Sequence, residues 1–474
     1  MHNMKTIKLF WILLLLVFAK PQTLMAQESL HMELLSHYND TNLTKLGESQ
    51  IWNDVMGWKD TVKNREYMIA GTTDSIYFFD VTNPYEIKLC AKFFGTNTGC
   101  VNRDYYPYHH YLYATSDQCT TPGNLQVFNM QYLPDSVVKV YESDSIGALT
   151  HTIFIEEKSQ RMYMNLNKRK NPQTGQIEVF PMDIVSLVNP EVPVKIGALE
   201  YPAPYTGTRV HESYVRNDTA YCSSENAGLF IFDVRDASNP VLLSAITPPY
   251  PANAYNHSGW LDSSGKYILF CDETPEGVGM KIYNLTELNN PRIVGNPFKE
   301  VGSPHNAYWK GRYAYASMYY GGVQVYDLQD KTNPKITAYY DTYPQAYSNG
   351  YRGCWGVWPF LPSGIILASD MTNGLFVLRT TERLAVNQYA TTVLNMNVYP
   401  NPFNHDVNFI VSVNKPQTSN LAVYNLQGKL VAEKEINLNA GANKINTVLD
   451  LPPGLFLLKL TTDEHMYKAQ LLKQ

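Results

Sequence analysis

A repeat of about fifty residues governs what this chain can become. Seven apolar segments recur: IYFFD (76–80), LQVFN (125–129), IEVFP (177–181), LFIFD (229–233), MKIYN (280–284), VQVYD (323–327) and LFVLR (375–379). Their starts lie 49, 52, 52, 51, 43 and 52 residues apart. Several lead into an Asn-Pro phrase, as in VTNP (81–84), ASNP (237–240) and KTNP (331–334). Proline pushes the residue before it out of helical geometry, so these segments end in turns. A further apolar strand follows, for example VLLSAI (241–246), and a turn–strand–loop phrase such as GRYAYASMYYGG (311–322) precedes. No helical period interrupts the pattern. One period therefore holds four short strands joined by tight turns. Seven such units predict an all-β, seven-bladed β-propeller.

The ends of the array are complementary. The seventh repeat stops at its third strand, LFVLR, while MELLSHYN (32–39) resembles an outer strand. That segment is expected to complete blade seven and close the ring, removing exposed edges. The propeller is assigned to residues 28–383, followed by a linker at 384–396. Beyond it, 397–474 carries strands at short spacing, which predicts a small Ig-like β-sandwich.

Lys5 and Lys8 precede an apolar run of 11 residues at 9–19, and small and polar residues follow near Ala26. A bilayer span needs about 20 apolar residues, so this run reads as a signal peptide, residues 1–27. No transmembrane segment is predicted. With a net charge of −5 and no basic cluster interleaved with aromatics, nucleic-acid binding is not expected. Six cysteines in an exported chain can form disulfides. Cys100 precedes the first strand of blade two and Cys119 follows its second, so the two share a face and are the candidate pair.

NVYPNPF (397–403), the GLFLLKL strand (454–460) and the closing KAQLLK (468–473) resemble a type IX secretion system (Por) type A sorting domain. That resemblance implies a partner, the type IX secretion machinery, and a secreted or extracellular protein attached to the outer-membrane surface. LFIFDVRDASNP (229–240) and VQVYDLQDKTNP (323–334) resemble the LVIVD-repeat propellers, particularly the choice-of-anchor B group. HSGWLDSSGKYILFCDE (257–273) and WPFLPSGIILASDMTNGLFVLR (358–379) resemble later blades of that group. Its resemblance implies fold and address but no activity.

Within the repeats one residue type returns. SPHNAYW (303–309), NHSGW (256–260), RVHESY (209–214) and LTHTIF (149–154) each place a histidine at the start of a blade's first strand. First strands line a propeller's channel, so His151, His211, His257 and His305 should gather at one mouth. Asp104 is assigned the comparable place in blade two, and Asp54 lies near it in blade one. Second strands return antiparallel, which brings Asp74, Asp117, Glu225, Asp272, Glu273 and Asp370 to the same rim. Converging imidazoles with carboxylates are a ligand set for a divalent metal, and His151, His211, His257, His305 and Asp104 are the candidate ligands. The same histidines would also serve as register pins between blades. His109 and His110 fall at a turn on the opposite face, and the tryptophans read as blade packing.

No Gly-x-Ser-x-Gly, His-Glu-x-x-His or phosphate-binding loop is present, so no catalytic residue is assigned. The leading expectation is a surface propeller that binds an extracellular ligand, glycan or protein, through a divalent metal at the histidine-rich mouth. One alternative is a metal-dependent polysaccharide lyase or hydrolase. The other is an adhesion or scaffold module without metal.

Overall fold

A computed structural model describes residues 28–474 apart from 48–49, 172, 248–252, 296–297, 299–301, 346–350, 382–391, 426–429 and 463–464. The expected signal peptide, and most of the expected linker, lie outside these residues. Seven antiparallel sheets follow one another as propeller blades among the described residues. Blade one is Trp52–Asp60, Arg65–Thr72, Ser75–Asp80 and Lys88–Phe94. The inner strands of the next blades are Asn102–Tyr108, Thr152–Glu156, Glu212–Arg216, Tyr255–Leu261, Ala307–Lys310 and Cys354–Trp358.

The ring closes as the ragged ends predict. Met32–Tyr38 runs antiparallel to Gly374–Thr380, pairing from Met32 with Thr380 to Tyr38 with Leu375. The same strand reaches into blade one, where the Tyr38 ring lies 4.9 Å from Phe79 and 6.0 Å from Trp52. Ser29–Leu30 adds separately to the outer strand of blade six.

The recurring apolar phrase is the third strand of each blade. It is mostly apolar because both faces of a blade are covered by neighbouring blades; all of Leu229–Phe232 is buried. Outer strands, covered on one face only, leave Val241 and Leu243 exposed. The Asp or Asn that ends five of the seven phrases has its own role. Its side chain accepts the backbone N–H two residues on, as Asp80 does from Thr82, Asp233 from Arg235 and Asp327 from Gln329, at 2.8–3.0 Å. This Asx turn directs the chain toward the outer strand.

Blade three departs from the sequence reading. IEVFP (177–181) belongs to the long third strand Ile177–Ser186, but it pairs only with Asn167–Lys170 of an extended hairpin. The stretch that pairs with the outer strand is 182–186. Ser186 holds the turn-forming place there, accepting from Val188 N. The apolar match misled because the hairpin continues the strand pattern beyond the blade, where Ile177 and Val179 are exposed.

Cys100 and Cys119 form a disulfide across the ends of blade two's first two strands. Cys90, Cys222, Cys271 and Cys354 take no part in a disulfide among the described residues. Replacing the bonded pair by alanine should cost about 3 kcal/mol, from the lost restraint on the unfolded chain. A guanidinium titration under oxidising conditions measures it.

Residues 392–474 form two sheets, of five and three strands. Phe409, Val411, Val423, Leu458 and Leu460 make their shared core. Thr392–Asn395, within the stretch read as linker, pairs in parallel with His465–Lys473. No helix among the described residues is long and apolar enough to cross a membrane.

Candidate metal centre

The first strands start at the channel mouth because backbone bonds between blades pin them there. Thr150 N donates to Ser116 O at 3.0 Å, Asn256 N to Glu225 O at 2.9 Å, and Cys354 N to Tyr319 O at 2.8 Å. Gln118, Glu225 and Tyr319, just after second strands, adopt positive φ of 52°, 56° and 40°. Left-handed geometry is costly for such residues and persists where the surroundings hold it. Within blades, His151 N donates to Asn165 O, His211 N to Ser223 O and His305 N to Ser317 O.

These anchors bring the four imidazoles into a continuous arc. Ring centroids lie 4.2 Å apart for His151–His211, 4.2 Å for His211–His257 and 4.3 Å for His257–His305. Trp355 extends the arc, 4.3 Å from His305. All four histidines are buried, His257 most deeply at 3% exposure. Nδ1 of His211, His257 and His305 is buried without a hydrogen-bond partner. A buried polar atom without a partner normally costs stability and calls for an explanation. The positions are thus as expected; His211 also bonds the backbone of His257 and His305 that of Trp355, each in the next blade, so the register pins are present beside the unpartnered Nδ1 atoms.

Burial and the neighbouring imidazoles hold His211 and His257 well below the usual histidine range, and burial holds His305 at about 3. All three are neutral at pH 7, the form that ligates metals. His151 differs. Its Nδ1 lies 3.3 Å from Asp117 Oδ2, and Lys168 Nζ bonds the other oxygen at 2.5 Å. Burial raises the Asp117 carboxyl, but these two partners outweigh burial and hold it at about 2.

The tightest ligand group is His257, His305 and Glu273, whose donor atoms lie within 4.8 Å of one another. Tyr319 O–H donates to Glu273 and orients it. Burial pushes the Glu273 carboxyl up to about 7, with the Tyr319 bond opposing. The other rim acids are engaged elsewhere. Asp272 is buried against Lys281, Glu225 pairs with Arg209, Asp370 accepts from Thr342, and Asp74 bonds Thr72 and Ser75.

Asp104 stands one residue beyond the histidine position. It pairs with Thr115, as Glu212, the residue after His211, pairs with Ser223. The histidine place in blade two belongs to Arg103, whose guanidinium turns to Thr72 O and Asn97 O. Asp104 accepts from Ile153 N and contacts Asp54. It shares a small cavity with His151, His257 and His305 but lies outside the tight ligand group. Below the cavity the channel is filled by rings: Trp260 packs 4.5 Å from Tyr214, 5.0 Å from Tyr308 and 5.4 Å from Phe360. That plug leaves the histidine mouth as the approach to the site. His109 and His110 sit at the opposite turn, as expected.

Sequence reasoning missed Trp355, Tyr319 and Glu212. Trp355 becomes visible once the histidine position is aligned through all seven blades, Tyr319 once the place held by Glu225 is, and Glu212 adjoins a histidine whose repeat position alone was weighed.

Burial raises Asp54 to about 6 against the opposing bonds to Val55 N and Asp104, and burial with the Asp54 charge raises Glu212 to about 8. A carboxyl whose pKa rises on folding favours the fold while protonated and disfavours it once ionised. The metal-free protein should therefore lose thermal stability as pH rises from about 4 to about 8. Glu212→Gln should flatten that slope, which melting curves in chelator across the range will test.

Residues 397–474 match the family described as a secretion system C-terminal sorting domain. No curated protein matches the chain. Among solved structures, the computationally designed Ika8 protein is similar at 6% identity and a TM-score of 0.45. The C-terminal WD40 domain of Sif2 is similar at 10% identity and 0.47. Each similarity covers 71% of this chain and 98% of the other. The blade architecture rests on the sheet order itself, and with its type IX sorting tail this is a secreted or cell-surface, outer-membrane-associated propeller.

Proposed function

We propose that the propeller binds a divalent transition metal at its channel mouth through His257, His305 and Glu273, and through that metal holds an extracellular ligand. The supporting observation is the convergence of two neutral, buried imidazoles and one carboxylate within 4.8 Å, with Nδ1 of both histidines unpartnered. His211 and His151 continue the arc and stand as further or exchanging ligands; Asp104 lines the cavity beneath. Nitrogen-rich donor sets favour zinc, copper, nickel or iron over magnesium or calcium. Because the aromatic plug closes the channel below, the ligand reaches the metal from the mouth. The phrases resembling LVIVD-repeat, choice-of-anchor B propellers support the same reading of a surface-held binding ring.

A second reading, metal-assisted lysis or hydrolysis of a polysaccharide, is favoured by one observation. Glu273, at about 7, is poised for proton transfer near neutrality. The two readings use Glu273 differently. As a ligand, its replacement in Glu273→Gln lowers metal content; as an acid or base, it leaves metal bound and abolishes product from a glycan panel. Metal analysis and product assay on that one variant separate them.

A further inference from the structure

One residue beyond the histidines, the blades present a second ring to the axis. Ladder register aligns Asp104, Thr152, Glu212 and Ser258 opposite Thr115, Asn165, Ser223 and Cys271. Asp54 takes the place in blade one, within a bulge, and Asn306 in blade six, bonded to Ser317 N. Every one of these six side chains carries oxygen. Blade seven has Gly356 instead, and the space is used: a Cβ there would lie 2.5 Å from Asp54 Oδ1.

Asp54 and Asp104 stand within hydrogen-bonding reach of each other. Glu212 accepts from Asn306 Nδ2 at 3.1 Å. No lysine or arginine acts on any of the three carboxyls. Enclosed carboxylates without a cation are strongly disfavoured. One further group lines the same cavity without a partner: Ser213 Oγ, on a residue 3% exposed. The cavity offers about 40 Å³, enough for an ion with a water or two.

We infer that this oxygen belt is a second cation site, for a hard divalent ion of the calcium type, held by the Asp54–Asp104 pair with Glu212 completing its charge. Carboxylate, hydroxyl and amide oxygens suit such ions, whereas the imidazole arc above suits softer ones. The site does not depend on a metal in the histidine arc, since its donors come from the next ring.

Terbium luminescence tests this on the full exported chain, because Trp260, Tyr308 and Trp358 line the cavity and can sensitise a bound lanthanide. The expected result is one terbium per chain, displaced by calcium. Asp54→Asn and Glu212→Gln should each weaken binding at least about tenfold. His257→Ala should leave terbium binding unchanged while removing transition metal, so the two sites fail separately. Both carboxamide changes conserve shape and remove repulsion, so their melting points in chelator should not fall; if Asp54→Asn does not fold, Glu212→Gln decides. Absence of sensitised emission at equimolar terbium, emission that survives both carboxamide variants, or equal loss in His257→Ala overturns the inference.

Discussion

Replacing both His257 and His305 by alanine should lower transition-metal affinity by at least about 100-fold, equivalent to about 3 kcal/mol. The chain purified after zinc exposure and dialysis should then hold no stoichiometric metal. The size of the effect follows from the donor count. The tight group has two imidazoles and one carboxylate, and removing both nitrogens leaves Glu273 alone with its Tyr319 bond. Single variants should be graded, because His211 lies 4.2 Å from His257 and is placed to substitute for it in part. His109→Ala, at the opposite turn, is the control and should change nothing. Elemental analysis reads metal content, and circular dichroism in chelator confirms that each variant is folded. Ligand binding that persists in the folded, metal-free double variant would remove the metal from the function and favour a plain adhesion module.

Deleting residues 28–38 should have the largest effect on stability. The closing strand pairs with Gly374–Thr380 over its whole length and buries Met32, while Tyr38 packs on Trp52 and Phe79 of blade one. Its loss exposes an unpaired strand edge and separates the first blade from the last. We expect a cost of about 5 kcal/mol or more from lost burial and pairing. At roughly 2–4 °C per kcal/mol for a large domain, the melting point should fall by at least about 10 °C. Glu33→Ala, on the exposed side of the same strand, should be neutral. A deletion variant that melts with the parent would show that ring closure contributes little.

The two effects are connected. The histidine arc spans blades three to six, and its members meet only while the ring holds those blades at fixed angles. The deletion variant should therefore lose metal as well as stability, even though residues 28–38 lie outside the ligand group. Loss of metal without any change to a ligand is the signature of a site made by closure.

The extent to which sequence sufficed differs between levels. Blade number, the closing strand, the Cys100–Cys119 bond and the common mouth of the histidines were all legible, because each follows from a repeat and from strand direction. The blade-three phrase was misplaced because apolar run length carries no information about which part of a strand a neighbouring sheet covers. Of six acids expected at the rim, only Asp117 and Glu273 meet the histidines; Asp272 turns to Lys281 and Glu225 to Arg209. Periodicity reports which end of a strand a residue occupies, whereas the direction of its side chain depends on partners far away in the chain.

By itself the sequence determined an exported, seven-fold β architecture, the face on which the histidines stand, and the type IX tail that follows. The tertiary structure alone decided that the imidazoles touch in one arc, that Glu273 rather than Asp104 joins the tightest group, and that a carboxylate belt lies beneath. The physical reason is range: strand pattern and turn chemistry act over a few residues, whereas a ligand shell depends on ångström-scale distances between blades about fifty or more residues apart.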